Sequence, residues 1–188
     1  MSIIVAVKKR GRIAVAADSL YLTGSHKDYS EDLVGRSKVR RIGTSLIGMT
    51  GWSVYQNIFD HYLAKQRAPA LKNEEAIFNF FLKFWQVLRQ RYPFVKEQRE
   101  GADSPFSDLD STFLVVNRHG IFDVHGNMTV WKHKDYCAIG SGAPYSFGAL
   151  NALFEQSNRP RELATRAVEA AIRFDDGCGG PIEVFDVK

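Results

Sequence analysis

The chain is committed to a sheet from its third residue. Residues 3–7, Ile-Ile-Val-Ala-Val, form a short apolar run rich in β-branched side chains, as expected of a buried strand. Chain ends are normally frayed and solvated unless something ties them down. Here a core strand starts with only Met1 and Ser2 ahead of it, so the beginning of the chain must be fixed at the mouth of a sheet. Residues 8–11, Lys-Lys-Arg-Gly, separate this run from a second one at 13–17. Two such runs around a Gly-containing turn predict a β-hairpin, which ends at Asp18-Ser19.

That placement gives Ser2 a chemical option. Once Met1 is removed, Ser2 carries both a hydroxyl and a free α-amine, and an α-amine titrates at about 7.7–8.0. Near neutral pH such an amine can act as the base for its own hydroxyl, which is the logic of an N-terminal nucleophile.

Further along, residues 23–35 are polar, charged and Gly-bounded, and read as a loop. A second hairpin follows over 37–51, turning at Gly43-Thr44. In it Lys38, Arg40 and Ile42 share one strand face, so a basic residue points inward and needs a carboxylate; Asp18 is the candidate. The strand runs through Gly48-Met49-Thr50-Gly51 into a helical segment near Trp52. This places the Gly51 N–H at a helix N-terminus, where anionic charge is stabilised. Two helices are predicted at 54–65 and 73–92. The second has Ile77, Phe80, Phe81, Phe84, Val87 and Leu88 on one stripe, widened by Phe78 and Trp85, for core and subunit contacts. Residues 96–110 read as a mobile surface loop. Strands are expected at 111–116, 121–124, 128–131 and 136–139, helices from Pro144 to 154 and over 160–174, and a last strand at 182–187.

Other chemistries are excluded by spacing. His119, His125 and His133 sit in or beside turns, and without an HxH or HxxxH pair and a supporting carboxylate a zinc site is rejected. The Gly140-Ser141-Gly142 turn lacks the P-loop lysine and does not fit G-x-S-x-G. A formal charge of +4, from 25 basic against 21 acidic side chains, is too mild to argue for nucleic acid. No apolar run approaches the ~20 residues of a membrane span, and no signal peptide precedes the first strand. Cys137 and Cys178 are therefore expected as free thiols in a cytoplasmic protein. With 188 residues, 45% of them hydrophobic, one core suffices, and a single domain over 1–188 is expected. Antiparallel strand runs with helices inserted between them indicate a layered α+β class.

Six segments, in this order and spacing, resemble the proteasome β-subunit superfamily, and within it HslV and its sister bacterial proteasome homologues. They are Ser2-Ile-Ile-Val-Ala-Val, Ala16-Ala17-Asp18, Lys38-Val39-Arg40-Arg41, Ile47-Gly48-Met49-Thr50-Gly51, Ile139-Gly140-Ser141-Gly142-Ala143-Pro144-Tyr145, and Asp175 through Gly180. The resemblance implies a four-layer αββα sandwich, the N-terminal nucleophile hydrolase fold, with two antiparallel sheets between two helix layers. It also implies stacked double rings of identical subunits, sevenfold favoured and sixfold possible, an ATP-dependent unfoldase partner, polypeptide substrates and no cofactor.

Residue by residue, the resemblance puts Ser2 at the nucleophile, Asp18 and Lys38 at the supporting acid and base-tuning lysine, and Gly51 at the oxyanion N–H. Ser141 and Asp175 fall beside the terminal amine, and Gly48 and Trp52 at the pocket for the residue before the cut. The pattern departs at Ser2, where the family has threonine. It departs again at Cys178, where proteasomes have a serine near the amine, and in a longer 23–35 segment. A silent ring-forming scaffold and a small-amide hydrolase are the competing readings. The retained Ser2, Asp18, Lys38, Ser141 and Asp175 set favours a peptidase over the silent scaffold, and a closed ring would separate it from the small-amide hydrolase.

Overall fold

The computed structural model describes residues 1–92 and 109–187. Strands β1 (Ile4–Lys9) and β2 (Arg12–Ala17) form the expected hairpin, with Arg10 and Gly11 at positive φ in its turn. They lie at the centre of a four-stranded antiparallel sheet, flanked by β10 (Tyr136–Ile139) and β11 (Glu183–Asp186). The second sheet is also antiparallel and runs in the order β5 (Val39–Ile42), β6 (Ser45–Gly51), β7 (Ser111–Asn117), β8 (Gly120–Val124), β9 (Val130–His133).

The period-two alternation of β1 explains the layering. Ile3, Val5 and Val7 pack with Leu163, Ala164, Ala167 and Val168 of helix α4 (Pro160–Phe174) and with Leu150 of α3 (Ala143–Leu153). Ile4 and Ala6 face the other way, onto Val39, Leu46, Leu114 and Val116 of the five-stranded sheet. That sheet's outer face carries Ile47, Phe113, Val115 and Phe122. These pack against Phe59 of α1 (Val54–Leu63) and Ile77, Phe81, Phe84 and Leu88 of α2 (Glu74–Arg91). The result is helices, sheet, sheet, helices: the four-layer α+β sandwich expected. Asn73 caps α2, its side chain accepting from the Ala76 N–H at 2.9 Å. Of the aromatic stripe, Phe78 stays 41% exposed while Phe80, Phe81 and Phe84 are core.

Three local readings change. The 23–35 stretch is not all loop: β3 (Leu20–Thr23) and β4 (His26–Tyr29) pair as a hairpin about Gly24-Ser25, followed by a 3-10 turn at Ser30–Asp32. Its second strand, His-Lys-Asp-Tyr, is partly solvated and carries no apolar alternation to announce it. The shared face of Lys38, Arg40 and Ile42 does not hold, because Lys38 precedes β5. Lys38 turns to Asp18 at the end of β2, whereas Arg40 pairs with Asp60 of α1. Strand β9 begins two residues later than expected because Met128, at φ 69, still belongs to the turn. The expected 96–110 loop falls mostly outside the described residues; Leu109 and Asp110 are described, and Leu109 is buried.

Candidate active site

Asp18 is what holds the start of the chain. Its carboxylate oxygen Oδ1 accepts from the Ile3 N–H at 2.9 Å and from Lys38 Nζ at 2.7 Å, while Oδ2 accepts from the Gly179 N–H at 3.1 Å. The Asp18 N–H also donates to the Ile3 carbonyl at 3.1 Å. One buried carboxylate thus fixes the residue after Ser2, the lysine and the loop before β11. Asp18 is 0% and Lys38 3% exposed, so each needs the other. Burial pulls the Lys38 ammonium below the ordinary lysine range, and Asp18 pulls back against it by charge and hydrogen bond.

Ser2 is 5% exposed. Its N–H donates to Ser141 Oγ at 3.2 Å, and its hydroxyl donates to the Met1 carbonyl. The Gly142 N–H donates to the Ser2 carbonyl at 3.3 Å. Gly140 must lack a side chain, since at φ 106 a Cβ would run into the Ser2 carbonyl. The Gly-Ser-Gly turn that resisted both motif readings therefore clasps the first residues of β1.

Asp175 lies beyond Ser141. Burial works to raise its pKa, but hydrogen bonds from Ser141, the Gly177 N–H and Cys178, with the terminal ammonium nearby, together hold it below the ordinary carboxylate range. The Cys178 thiol donates to Asp175 Oδ2 at 3.3 Å. Burial, Asp18 and Asp175 push its pKa up to about 12, so it stays a neutral donor rather than a second nucleophile.

Ser2 lies where two hollows meet. One, of about 400 Å³, is lined by Ser2, Leu20, Tyr21, Lys38, Met49, Gly51, Trp52, Gln56 and Asp110 among others. The other, of about 220 Å³, takes in Ser2, Thr50, Gly51, Asp110, Ser111, Gly140 and Ser141. Gly51 borders both, at φ 108, where a Cβ would collide with the Asp110 carbonyl. Trp52, 61% exposed, forms part of the rim, and its indole N–H donates to the Asp110 carboxylate.

Gly48 is not in either lining. A Cβ there would press on Ile4 at 3.0 Å, so this glycine lets the two sheets approach rather than shaping the hollow. Several lining residues went unread in the sequence, Tyr21, Gln56 and Asp110 among them. Tyr21, whose hydroxyl donates to Gln56 at 3.2 Å, and Gln56 itself are brought in by the β3–β4 hairpin and the first turn of α1. Asp110 follows a segment with no periodic signal.

A fold of two sheets between helix layers, opening on a clamped Ser2, an Asp18–Lys38 pair and a Ser141–Asp175 hydrogen bond, defines an N-terminal nucleophile hydrolase architecture. Its likeness is to the proteasome β-subunit/HslV superfamily, on the bacterial side. It is 29% identical over 175 residues to the ATP-dependent protease subunit HslV of Caldicellulosiruptor saccharolyticus, covering 89% of this chain and 88% of that protein. The structure of Thiobacillus denitrificans BPH in complex with epoxomicin superposes with a TM-score of 0.88 at 29% identity, over 99% of this chain and 98% of that one. Eukaryotic HslV from Trypanosoma brucei, at 17% identity and a TM-score of 0.68 over 98% of each chain, shares the fold. No family model matches the chain. Among the described residues no helix is long and apolar enough to cross a membrane.

Proposed function

We propose that the chain is a subunit of a self-compartmentalising, proteasome-like peptidase whose nucleophile is Ser2, freed by removal of Met1. The observation that carries this reading is Lys38, which lines the same hollow as Ser2 and is held there by the buried Asp18 carboxylate at 2.7 Å. Met1 is 67% exposed, so its removal asks for no unfolding. The freed amine inherits the Ser141 contact and takes the Ser2 hydroxyl proton as the oxygen attacks a peptide carbonyl. Lys38, cationic and near the same hollow, disfavours a second positive charge and keeps the amine usable as a base. The Gly51 N–H receives the carbonyl oxygen as it becomes an oxyanion. The amine then passes its proton to the leaving nitrogen, and an acyl ester remains on Ser2. Water, deprotonated by the same amine, attacks the ester, and the acid product leaves with the Ser2 hydroxyl restored. The two hollows meeting at Ser2 suit the acyl and leaving-group sides of the cut chain.

The name of the HslV relative, an ATP-dependent protease subunit, supports an ATPase partner and a multi-subunit assembly. The exposed aromatic pair Tyr145 and Phe174, with ring centroids 5.8 Å apart, is available for such contacts.

The test is intact mass of the purified protein before and after a peptide vinyl sulfone, with epoxomicin as competitor. Loss of Met1 and a single adduct mapped to Ser2 are expected. A trimmed, ring-assembled protein that takes no adduct and cleaves no peptide would favour the silent scaffold. A monomer that cleaves only small amides would favour the third reading.

Serine lacks the methyl that limits threonine's χ1, so its hydroxyl is held less tightly in attack geometry. Ser2→Thr is expected to cleave a fluorogenic peptide several-fold faster than the parent. A slower Ser2→Thr, correctly trimmed, would count against that account.

A further inference from the structure

Among the described residues a second buried carboxylate has no part in the site above. Asp123 of β8 is 5% exposed and points into the layer between the two sheets, on the same side as its neighbour Ile121. A lone acid there is costly unless it is paired or bound to a cation. Around it stand His133 at the end of β9 and Cys137 on β10 of the facing sheet, with Asp123, His133 and Cys137 donor atoms all within 4.8 Å of one another. His125 Nε2 lies 3.0 Å from Asp123 Oδ2, and His133 Nε2 lies 3.0 Å from Oδ1.

Those distances suit hydrogen bonds, but the directions do not. Asp123 Oδ1, His125 Nε2 and His133 Nε2 are all buried and none makes a hydrogen bond. Neither ring nitrogen is aimed at the oxygen beside it. Two lone-pair donors that lie side by side without pointing at each other are arranged as ligands around a third atom. In a tetrahedral zinc site, bonds of about 2.0–2.1 Å to nitrogen and oxygen put those ligands about 3.3 Å apart. The observed 3.0 Å lies close to that edge. A carboxylate, an imidazole and a thiol together favour a borderline-soft divalent cation over calcium or magnesium.

We propose that Asp123, His133 and Cys137 form a Zn²⁺ site that ties the five-stranded sheet to the four-stranded one, with His125 standing on the outer oxygen of the carboxylate. Binding forms a Zn–S bond at Cys137 and releases the thiol proton to solvent. The fourth position takes water. Cys137 pairs with Ala6, four residues along the chain from Ser2 and so about 13 Å away at strand rise. The site is therefore structural, and it stands whether or not the peptidase reading does. Spacing in the sequence rejected zinc because the ligands come from three strands in two sheets.

The full chain, stripped with a chelator and dialysed, is titrated with Zn²⁺ alone. One bound zinc per chain by elemental analysis is expected, with a melting temperature raised by about 5–10 °C at a hundredfold excess over Kd. His133→Gln and Cys137→Ser are expected to weaken binding roughly a hundredfold and to erase the shift. With Co²⁺, a Cys178→Ser background is expected to show a thiolate charge-transfer band that the added Cys137→Ser removes. Zinc without effect on melting, or stoichiometric binding that survives both variants, overturns the site and leaves two histidine–carboxylate ion pairs. If the ligand variants do not fold, the cobalt band in the Cys178→Ser protein decides: its presence keeps the site and its absence ends it.

Discussion

Lys38→Ala is expected to lower kcat/KM on a peptide substrate by roughly 10²–10⁴-fold, the range for loss of effective acid–base function. The same change strands Asp18, which is 0% exposed and keeps only the Ile3 and Gly179 N–H groups as partners. Removing one member of a buried pair costs about 3–5 kcal/mol, so denaturant unfolding should show a large drop in stability as well. These two losses have separate causes, and a double variant separates them. Lys38→Ala combined with Asp18→Asn removes the stranded charge while keeping an acceptor for the Ile3 N–H. Most of the stability is expected to return while peptidase activity stays lost. Recovery of activity together with stability would mean that Lys38 only holds the fold, and the mechanism above would fall.

Gly51→Ala comes next in size. At φ 108 an alanine is strained in any surroundings, and its Cβ would be driven into the Asp110 carbonyl and Ser111. The strand end must shift, and with it the N–H we propose as the oxyanion donor. Loss of one such donor costs about 10²–10³ in kcat. The expected signature is a fall in kcat with little change in KM, since the donor acts on charge that develops only in the transition state. Circular dichroism and assembly size guard against simple misfolding. A KM effect alone, with kcat intact, would show that Gly51 shapes substrate binding and that the oxyanion is held elsewhere.

Much of the architecture was legible because alternation and turn residues act locally. The apolar run at the chain's start, the Gly-containing turn at 10–11 and the 3.6-residue stripe of α2 each specify an element without reference to the rest. The β3–β4 hairpin was not legible, because a strand such as His26–Tyr29 with half-solvated faces has no pattern to display. The face assigned to Lys38 failed for a related reason: alternation holds only inside a strand, and β5 begins one residue later.

For the site, the sequence by itself determined which groups can do chemistry: a hydroxyl at position 2, a strand-end acid, one lysine in need of a partner, and glycines where backbone must come close. What only the tertiary structure decided is which of them meet. It joined Asp18 to Lys38 and to Ile3, sent Gly48 to pack against Ile4, and added Tyr21, Gln56 and Asp110 to the hollow. It also gathered Asp123, His133 and Cys137 from separate strands. The physical reason is that side-chain chemistry is carried by each residue alone, whereas proximity across two packed sheets depends on register and layer order, which no short window of sequence contains.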